Sequence, residues 1–237
     1  MDKMIIFSFT GEGTQLNRKL TQFCKKNEIL VESYSVERYA ENELLPLPQK
    51  RQEFIRENWG KSGFIFIGAA GIAVRWIAPF VKDKFTDSPV LVMDEKGKYV
   101  IPILSGHIGG AVELAEQIGM WIEAEVVHTT ATDVQQKFAV DVFARKYHLL
   151  FKDRKKAKEI SAAVLEGEKI ACLIEDQDII IEGKIPKELI ICRSREVWEP
   201  YPYKVKLESF REKRTEKVEE SGKMKNLDAE KEGFLLL

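Results

Sequence analysis

Residues 103–115 read ILSGHIGGAVELA. An apolar strand end leads into Ser105-Gly106-His107-Ile108-Gly109-Gly110, and a helical pattern follows. Two further segments share this design. FIFIGAAGIAV at 64–74 carries Gly68 and Gly71, and EVVHTTATDV at 125–134 carries His128, Thr129, Thr130, Thr132 and Asp133. A helix start leaves backbone N–H groups unpaired and adds a partial positive charge. Glycine lets a ligand approach that backbone closely. Each turn is therefore a candidate anion site without a cationic side chain. Three of them within residues 64–134 are expected to converge on a ligand with several anionic groups.

The side chains on these turns allow two readings each. An imidazole ordinarily titrates near neutrality, so His107, flanked by glycines, suits a general base or acid; the alternative is a surface imidazole capping a turn. Arg75, the only charge between residues 62 and 81, is either a snorkelling helix residue or a carboxylate ligand. Thr129, Thr130, Thr132 and Asp133 form an N-cap cluster or donate to a ligand. Lys84, Thr86 and Asp87 are a solvated loop or one that closes over a site. His128 is expected to bond the following threonines, and His148 to be structural. The phosphate-binding patterns GxGxxG and GxxxxGK[ST] and the GxSxG elbow are missing from the sequence, so a dinucleotide, a P-loop nucleotide and that nucleophile are disfavoured.

The elements that must hold these residues follow from hydrophobic patterning. Residues 4–8, 29–34 and 63–68 read as strands. Helices are expected from near Thr14 and over 49–60, and ENELLPLP (41–48) as a loop. Residues 90–104 read as a hairpin around Asp94–Gly97. Loop 81–89 is long enough to carry the chain back across the sheet. That makes 90–93 the reversed strand and sets the Gly68 and His107 turns on one edge. Strands alternating with helices imply an α/β fold, a mostly parallel Rossmann-like sheet flanked by helices. The expected divisions are an α/β domain over 1–134, a small α+β middle region over 135–205 and a charged tail over 206–237. In the middle region 138–151 and 154–168 read as helices, and 169–186 as two strands. The tail reads as a solvated helix or mobile segment.

Bulk properties restrict the partners. The 237 residues carry 37 Lys and Arg against 38 Asp and Glu, a formal net charge of −1. Such balance gives no reason to expect nucleic acid or a membrane surface. The apolar run 64–81 contains Arg75 and Pro79, which suits a buried strand, turn and helix better than a membrane span. Cys24, Cys172 and Cys192 lack metal spacing and fit a reducing, cytoplasmic setting.

The ordered set GAAGIAVR, IAP, KDKFTD, SGHIGGA and TTATD over residues 63–134 resembles the N-terminal region of the CbiG family, the cobalt-precorrin-5A hydrolases of anaerobic cobalamin biosynthesis. Residues 1–62 resemble its variable beginning and 135–200 part of its middle region. The resemblance implies an enzyme that opens a δ-lactone on a cobalt-bound macrocycle and releases acetaldehyde. It needs no cofactor, because the cobalt belongs to the substrate. The ring's carboxylates would suit the helix starts, Arg75 and Lys84, and Trp76 or Phe85 would cover its apolar face. His107 is then the candidate base, with Ser105 hydrogen-bonding nearby. The N–H groups around Gly109 and Gly110 are oxyanion donors, and Asp133 is a second acid/base. The family's C-terminal domain opens with a Gly-Cys-Arg-Arg-Gly stretch, which LIICRSREVWEPYP (189–202) only echoes. That domain is expected to be absent, or supplied by a separate chain or another pathway enzyme. Two other readings are a non-catalytic corrinoid-binding module and a phosphate- or nucleotide-binding regulator.

Overall fold

The computed structural model describes residues 3–147, 149–175, 181, 183–220 and 223–236, with backbone alone from 209 onward. His148 and most of 176–182 lie outside the described residues. The chain divides into two units, Met1–Thr129 and Thr130–Leu237.

The first unit contains β1 (Lys3–Ser8), α1 (Gly11–Lys26), β2 (Leu30–Ser35), β3 (Leu44–Pro46), α2 (Arg51–Asn58), β4 (Gly63–Ile67) and α3 (Ala70–Ile77). It continues with β5 (Val90–Met93), β6 (Tyr99–Leu104), α4 (Ala111–Ile122) and β7 (Glu125–Val126). The sheet order is β3-β2-β1-β4-β5-β6-β7. Strands β1 to β5 run parallel, whereas β6 pairs antiparallel with β5 and β7 runs parallel to β6. The expected α/β sandwich is thus formed.

Side chains alternate across the sheet, as the strand period of two demands. Met4, Ile6, Ile65, Ile67, Leu91 and Met93 pack beneath α1 and α4. Ile5, Phe7, Phe64, Phe66, Val90 and Val92 pack against α2 and α3. Continuous apolar runs in β1, β4 and β5 follow from burial on both faces.

One junction is polar. Asn17 of α1, fully buried, donates through Nδ2 to Ser8 Oγ and the Tyr34 carbonyl, each at 3.1 Å. Thr14 and Ser35 hydroxyls lie 2.7 Å apart, and those of Thr21 and Ser33 2.6 Å apart. Removing Asn17 leaves buried acceptors without a donor. Asn17→Ala should lower stability by about 2 kcal/mol, read as a reduced denaturant midpoint.

Several boundaries differ from expectation. Helix α1 starts at Gly11 because Thr10 caps it, its hydroxyl accepting the Gly13 N–H at 3.1 Å. The expected 41–48 loop contains β3. The strand thought to be reversed is not: β5 lies parallel to β4, with Phe64 opposite Val90 and Ile67 opposite Met93. Helix α3 already returns the chain to the starting end of β4, so loop 81–89 has no crossing left to make and β5 begins where β4 begins. The reversed strand is β6.

The second unit comprises α5 (Ala131–Val134), α6 (Val140–Lys146), β8 (Leu149–Phe151), α7 (Arg154–Leu165), β9 (Ile170–Ile174), β10 (Leu189–Cys192) and α8 (Arg195–Trp198). Strands β11 (Lys204–Glu220) and β12 (Lys223–Leu236) end it. Its sheet order is β10-β9-β11-β12-β8. Phe138, Phe143, Ile160, Val164, Ile170 and Cys172 lie in its main core. The end of the expected 138–151 helix is strand β8, and the second strand expected within 169–186 falls mostly outside the described residues. Backbone over Lys204–Glu220 and Lys223–Leu236 is extended, not helical, and its register sets Arg211 opposite Glu232 and Lys213 opposite Glu230. All three cysteines are buried free thiols, and burial pushes Cys24 up to about 11 and Cys172 up to about 12. Among the described residues no helix is long and apolar enough to cross a membrane.

Candidate functional site

The reversal of β6 separates the expected ligand groups. Gly68 follows the C-terminal end of β4. The His107 loop follows β6 and so lies at the opposite end of the sheet, beside the start of β4 and β5. Strand β7 runs parallel to β6 beside its first residues, Tyr99 and Val100, so His128 and Thr129 follow it partway toward the His107 end. Along the six residues of β1 the two ends are about 17 Å apart at 3.3 Å per residue. One compact ligand cannot occupy both. The expected convergence of all three turns does not occur.

At the His107 end the chain leaves β6 through Ser105, which is buried with a positive φ of 51°. Its hydroxyl donates to the Asp87 carbonyl at 2.8 Å, so Ser105 ties two loops together. Gly110 adopts φ 83° and its N–H donates to the His107 carbonyl at 3.1 Å. The Ala111 and Val112 N–H groups bond the Ser105 and Gly106 carbonyls at 3.3 and 3.0 Å. The first turn of α4 is therefore partly satisfied by its own loop. Of the two expected oxyanion donors, Gly110 is engaged, and the Gly109 N–H has no backbone partner among the described residues. A Cβ on Gly109 would sit 2.6 Å from Ser105 Cβ and 2.7 Å from its carbonyl oxygen. Backbone cannot yield there, so Gly109→Ala should cost about 2–3 kcal/mol, measured as a lowered thermal midpoint.

Loop 81–89 forms the other wall. Asp87 is buried; its carboxylate accepts the Lys82 N–H at 2.9 and 3.1 Å and the Trp59 indole N–H at 3.2 Å. The Gly60 N–H donates to Ser88 Oγ at 2.8 Å. These bonds fix the loop to the end of the α2–β4 connection. Together with Ile108 and Gly109 they enclose a cavity of about 510 Å³, which Lys61, Ser62, Lys84, Phe85 and Thr86 also line. The structure thus brings Lys84, Thr86, Asp87 and Gly109 together. Asp87 acts as the anchor and Lys84 and Thr86 are exposed. His107 is half-buried beside Ile108 on the same loop.

Other expected residues stand apart. His128 is half-buried, with Nε2 3.9 Å from Glu116 Oε1 and a buried Nδ1 that makes no bond among the described residues, so the bond expected to the threonines is not formed. Thr129 ends the first unit, exposed. Thr130, Thr132 and Asp133 belong to the second unit. Thr130 holds the N-cap position of α5 without a side-chain cap bond, its carbonyl accepting the Asp133 and Val134 N–H groups. Thr132 is buried, and Asp133 lines a cavity of about 500 Å³ with Lys137, Phe138, Lys146 and Tyr147.

At the opposite end, Gly68 and Gly71 flank the start of α3, and exposed Arg75 donates from Nη1 to the Gly71 carbonyl at 3.0 Å. Arg75 and Trp76 line a cavity of about 750 Å³ together with Phe9, Lys50, Arg51 and Gln52. Reading 41–48 as a loop concealed the last group. Strand β3 sets Gln49–Gln52 just beyond the carboxyl end of a parallel strand, where ligands of open α/β sheets bind.

Known proteins place this chain. The family model "Cobalamin synthesis G N-terminal" matches residues 53–133, and "Cobalamin biosynthesis central region" matches 138–188. Over 113 residues the chain is 43% identical to a cobalt-precorrin-5A hydrolase of Priestia megaterium, covering 48% of this chain and 30% of that protein. Over 157 residues it is 34% identical to the cobalt-precorrin-5A hydrolase of Salmonella typhimurium, covering 66% and 43%. The chain thus spans less than half the length of these curated relatives. In fold it is similar to a cobalamin biosynthesis protein G homologue from Sulfolobus solfataricus, with a TM-score of 0.54 and 19% identity over 91% of this chain and 64% of that one. The two family matches lie side by side, the first containing the motifs of residues 63–134, and the chain belongs to the CbiG family, of which it carries the N-terminal and central regions.

Proposed function

We propose that this chain takes part in the hydrolysis of cobalt-precorrin-5A, opening the δ-lactone of the cobalt-bound macrocycle and releasing acetaldehyde. The observation that carries this reading is the pair of adjacent family matches over residues 53–188, together with relatives named for that activity. The chemistry is assigned to the His107 end. His107 activates water as the general base. The Gly109 N–H faces the developing oxyanion. Lys84 and Lys61 meet the ring's carboxylates, and Phe85 its apolar face. Ser105 and Asp87 position the two walls. Cobalt enters with the substrate, so no resident metal is required. The three unpaired cysteines fit a cytoplasmic setting. A polypeptide bearing the family's C-terminal region is the proposed partner.

Anaerobic incubation with cobalt-precorrin-5A tests this, with acetaldehyde followed by coupled NADH oxidation. Acetaldehyde formed in proportion to the protein supports hydrolysis. Tight binding of the macrocycle without acetaldehyde, in the presence of the C-terminal region, would identify a binding module.

A further inference from the structure

The second unit holds a cavity that the lactone chemistry does not use. Its volume, about 500 Å³, lies within the range of small-molecule sites. One wall is α6 with the two residues before it. Phe138, Ala139, Val142 and Phe143 give it apolar surface, and Phe138 packs edge-on against Phe143 with ring centres 5.6 Å apart. The other wall includes residues 184 and 186–188, which lead into β10.

Glu188 sets this cavity apart. It is only 6% exposed, and its backbone is pinned, because its carbonyl accepts the Ile170 N–H of β9 at 2.8 Å. Its carboxylate accepts no hydrogen bond among the described residues. Its ion pair there is with the Lys187 ammonium, 3.7 Å from Oε1 on a side chain that is 80% exposed. A pair so long and so exposed contributes little. A buried carboxylate without donors bears the desolvation cost of its charge. A ligand that brings N–H donors removes that cost.

The rest of the charged lining is mostly of the opposite sign. Lys137, Lys146, Lys184 and Lys187 stand against Asp133 and Glu188. Lys137 donates to the Leu165 carbonyl at 2.5 Å and so serves the fold. Two other lysines converge. The Lys146 ammonium stands over the Tyr147 ring, 5.1 Å from its centre, and a Cβ on Gly183 would lie 3.4 Å from it. That places it beside the segment carrying Lys184. Compact ammonium groups suit phosphate as point charges. The cavity thus combines a buried acceptor pair, an apolar wall and a cationic rim. A simple amine would satisfy Glu188 but is opposed by the lysines, and a simple anion leaves Glu188 without donors. Among the nucleobases, guanine presents two neighbouring donors, N1–H and the 2-amino group, whereas adenine sets an acceptor beside its amino group.

We infer that this cavity binds a guanine nucleotide, with the base's two donors on the Glu188 carboxylate and the phosphate on Lys146 and Lys184. Nothing in this recognition uses the lactone chemistry, so nucleotide binding and acetaldehyde release can each fail without the other.

Calorimetric titration of the full chain with GMP, AMP and inorganic phosphate tests it. GMP should bind at least about tenfold more tightly than AMP, because a site built to accept two donors rejects a ring that offers one. Glu188→Gln should weaken GMP about tenfold or more and leave the thermal midpoint equal or higher, since the amide removes a buried charge that lacks donors. A purely structural Glu188 would instead lower the midpoint. Lys146→Gln with Lys184→Gln should weaken GMP about tenfold. No GMP binding at millimolar concentration, equal binding of AMP or phosphate, GMP affinity within twofold after either change, or a midpoint lowered by Glu188→Gln would each overturn the inference.

Discussion

His107→Ala is expected to lower acetaldehyde release by about 10²–10⁴-fold, the usual contribution of a positioned acid–base group. The loop that carries His107 is held from both sides. Ser105 bonds the Asp87 carbonyl, and Gly110, Ala111 and Val112 bond loop carbonyls. Removing the imidazole should therefore leave fold and macrocycle affinity unchanged, and the loss should fall on the maximal rate. His107→Gln, which keeps hydrogen bonding but cannot take up the proton, should be as impaired. A variant with an unchanged rate and a normal fold would remove His107 from the chemistry.

Asp87→Ala should cost about 3 kcal/mol, because hydrogen bonds to a charged group contribute more than neutral ones and the donors left behind are half-buried. Its carboxylate joins two pieces of chain, the Lys82 N–H and the Trp59 indole, while its backbone carbonyl, which the substitution keeps, accepts from Ser105. The thermal midpoint should fall by on the order of 10 °C. Asp87→Asn keeps one acceptor oxygen and should lose about half as much. Both should depress turnover, since the loop they release lines the cavity beside Gly109. A stability equal to that of the parent would show that the 81–89 loop is held by something other than Asp87.

The sheet was legible where its strands are buried on both faces. The unbroken runs of β1, β4 and β5 and the hairpin turn leave few alternatives. Strands at the margins were not. Strand β3 spans three residues and ends on Pro46, which an edge strand tolerates and a pattern of alternation cannot reveal. Strand β8 spans only three residues. Direction was the costly omission. Apolar pattern is the same for a parallel and a reversed strand, so the sequence permitted either orientation of β5 and β6. Only the compact return through α3 decides it, and that choice moves Gly68, Gly71 and Arg75 to the far end from His107. Motif composition identified residues able to meet anions; it carried no information on which of them share an end. The roles of Ser105 and Asp87 as anchors depend on a contact across 18 positions, which no local pattern encodes.

The most direct measurement is anaerobic acetaldehyde release from cobalt-precorrin-5A by this chain, alone and with the C-terminal region of the Salmonella relative supplied as a separate chain. The expected result is release that depends on His107 and rises when the second chain is present. Macrocycle binding with no acetaldehyde in either mixture, or release unaffected by His107→Ala, would contradict it.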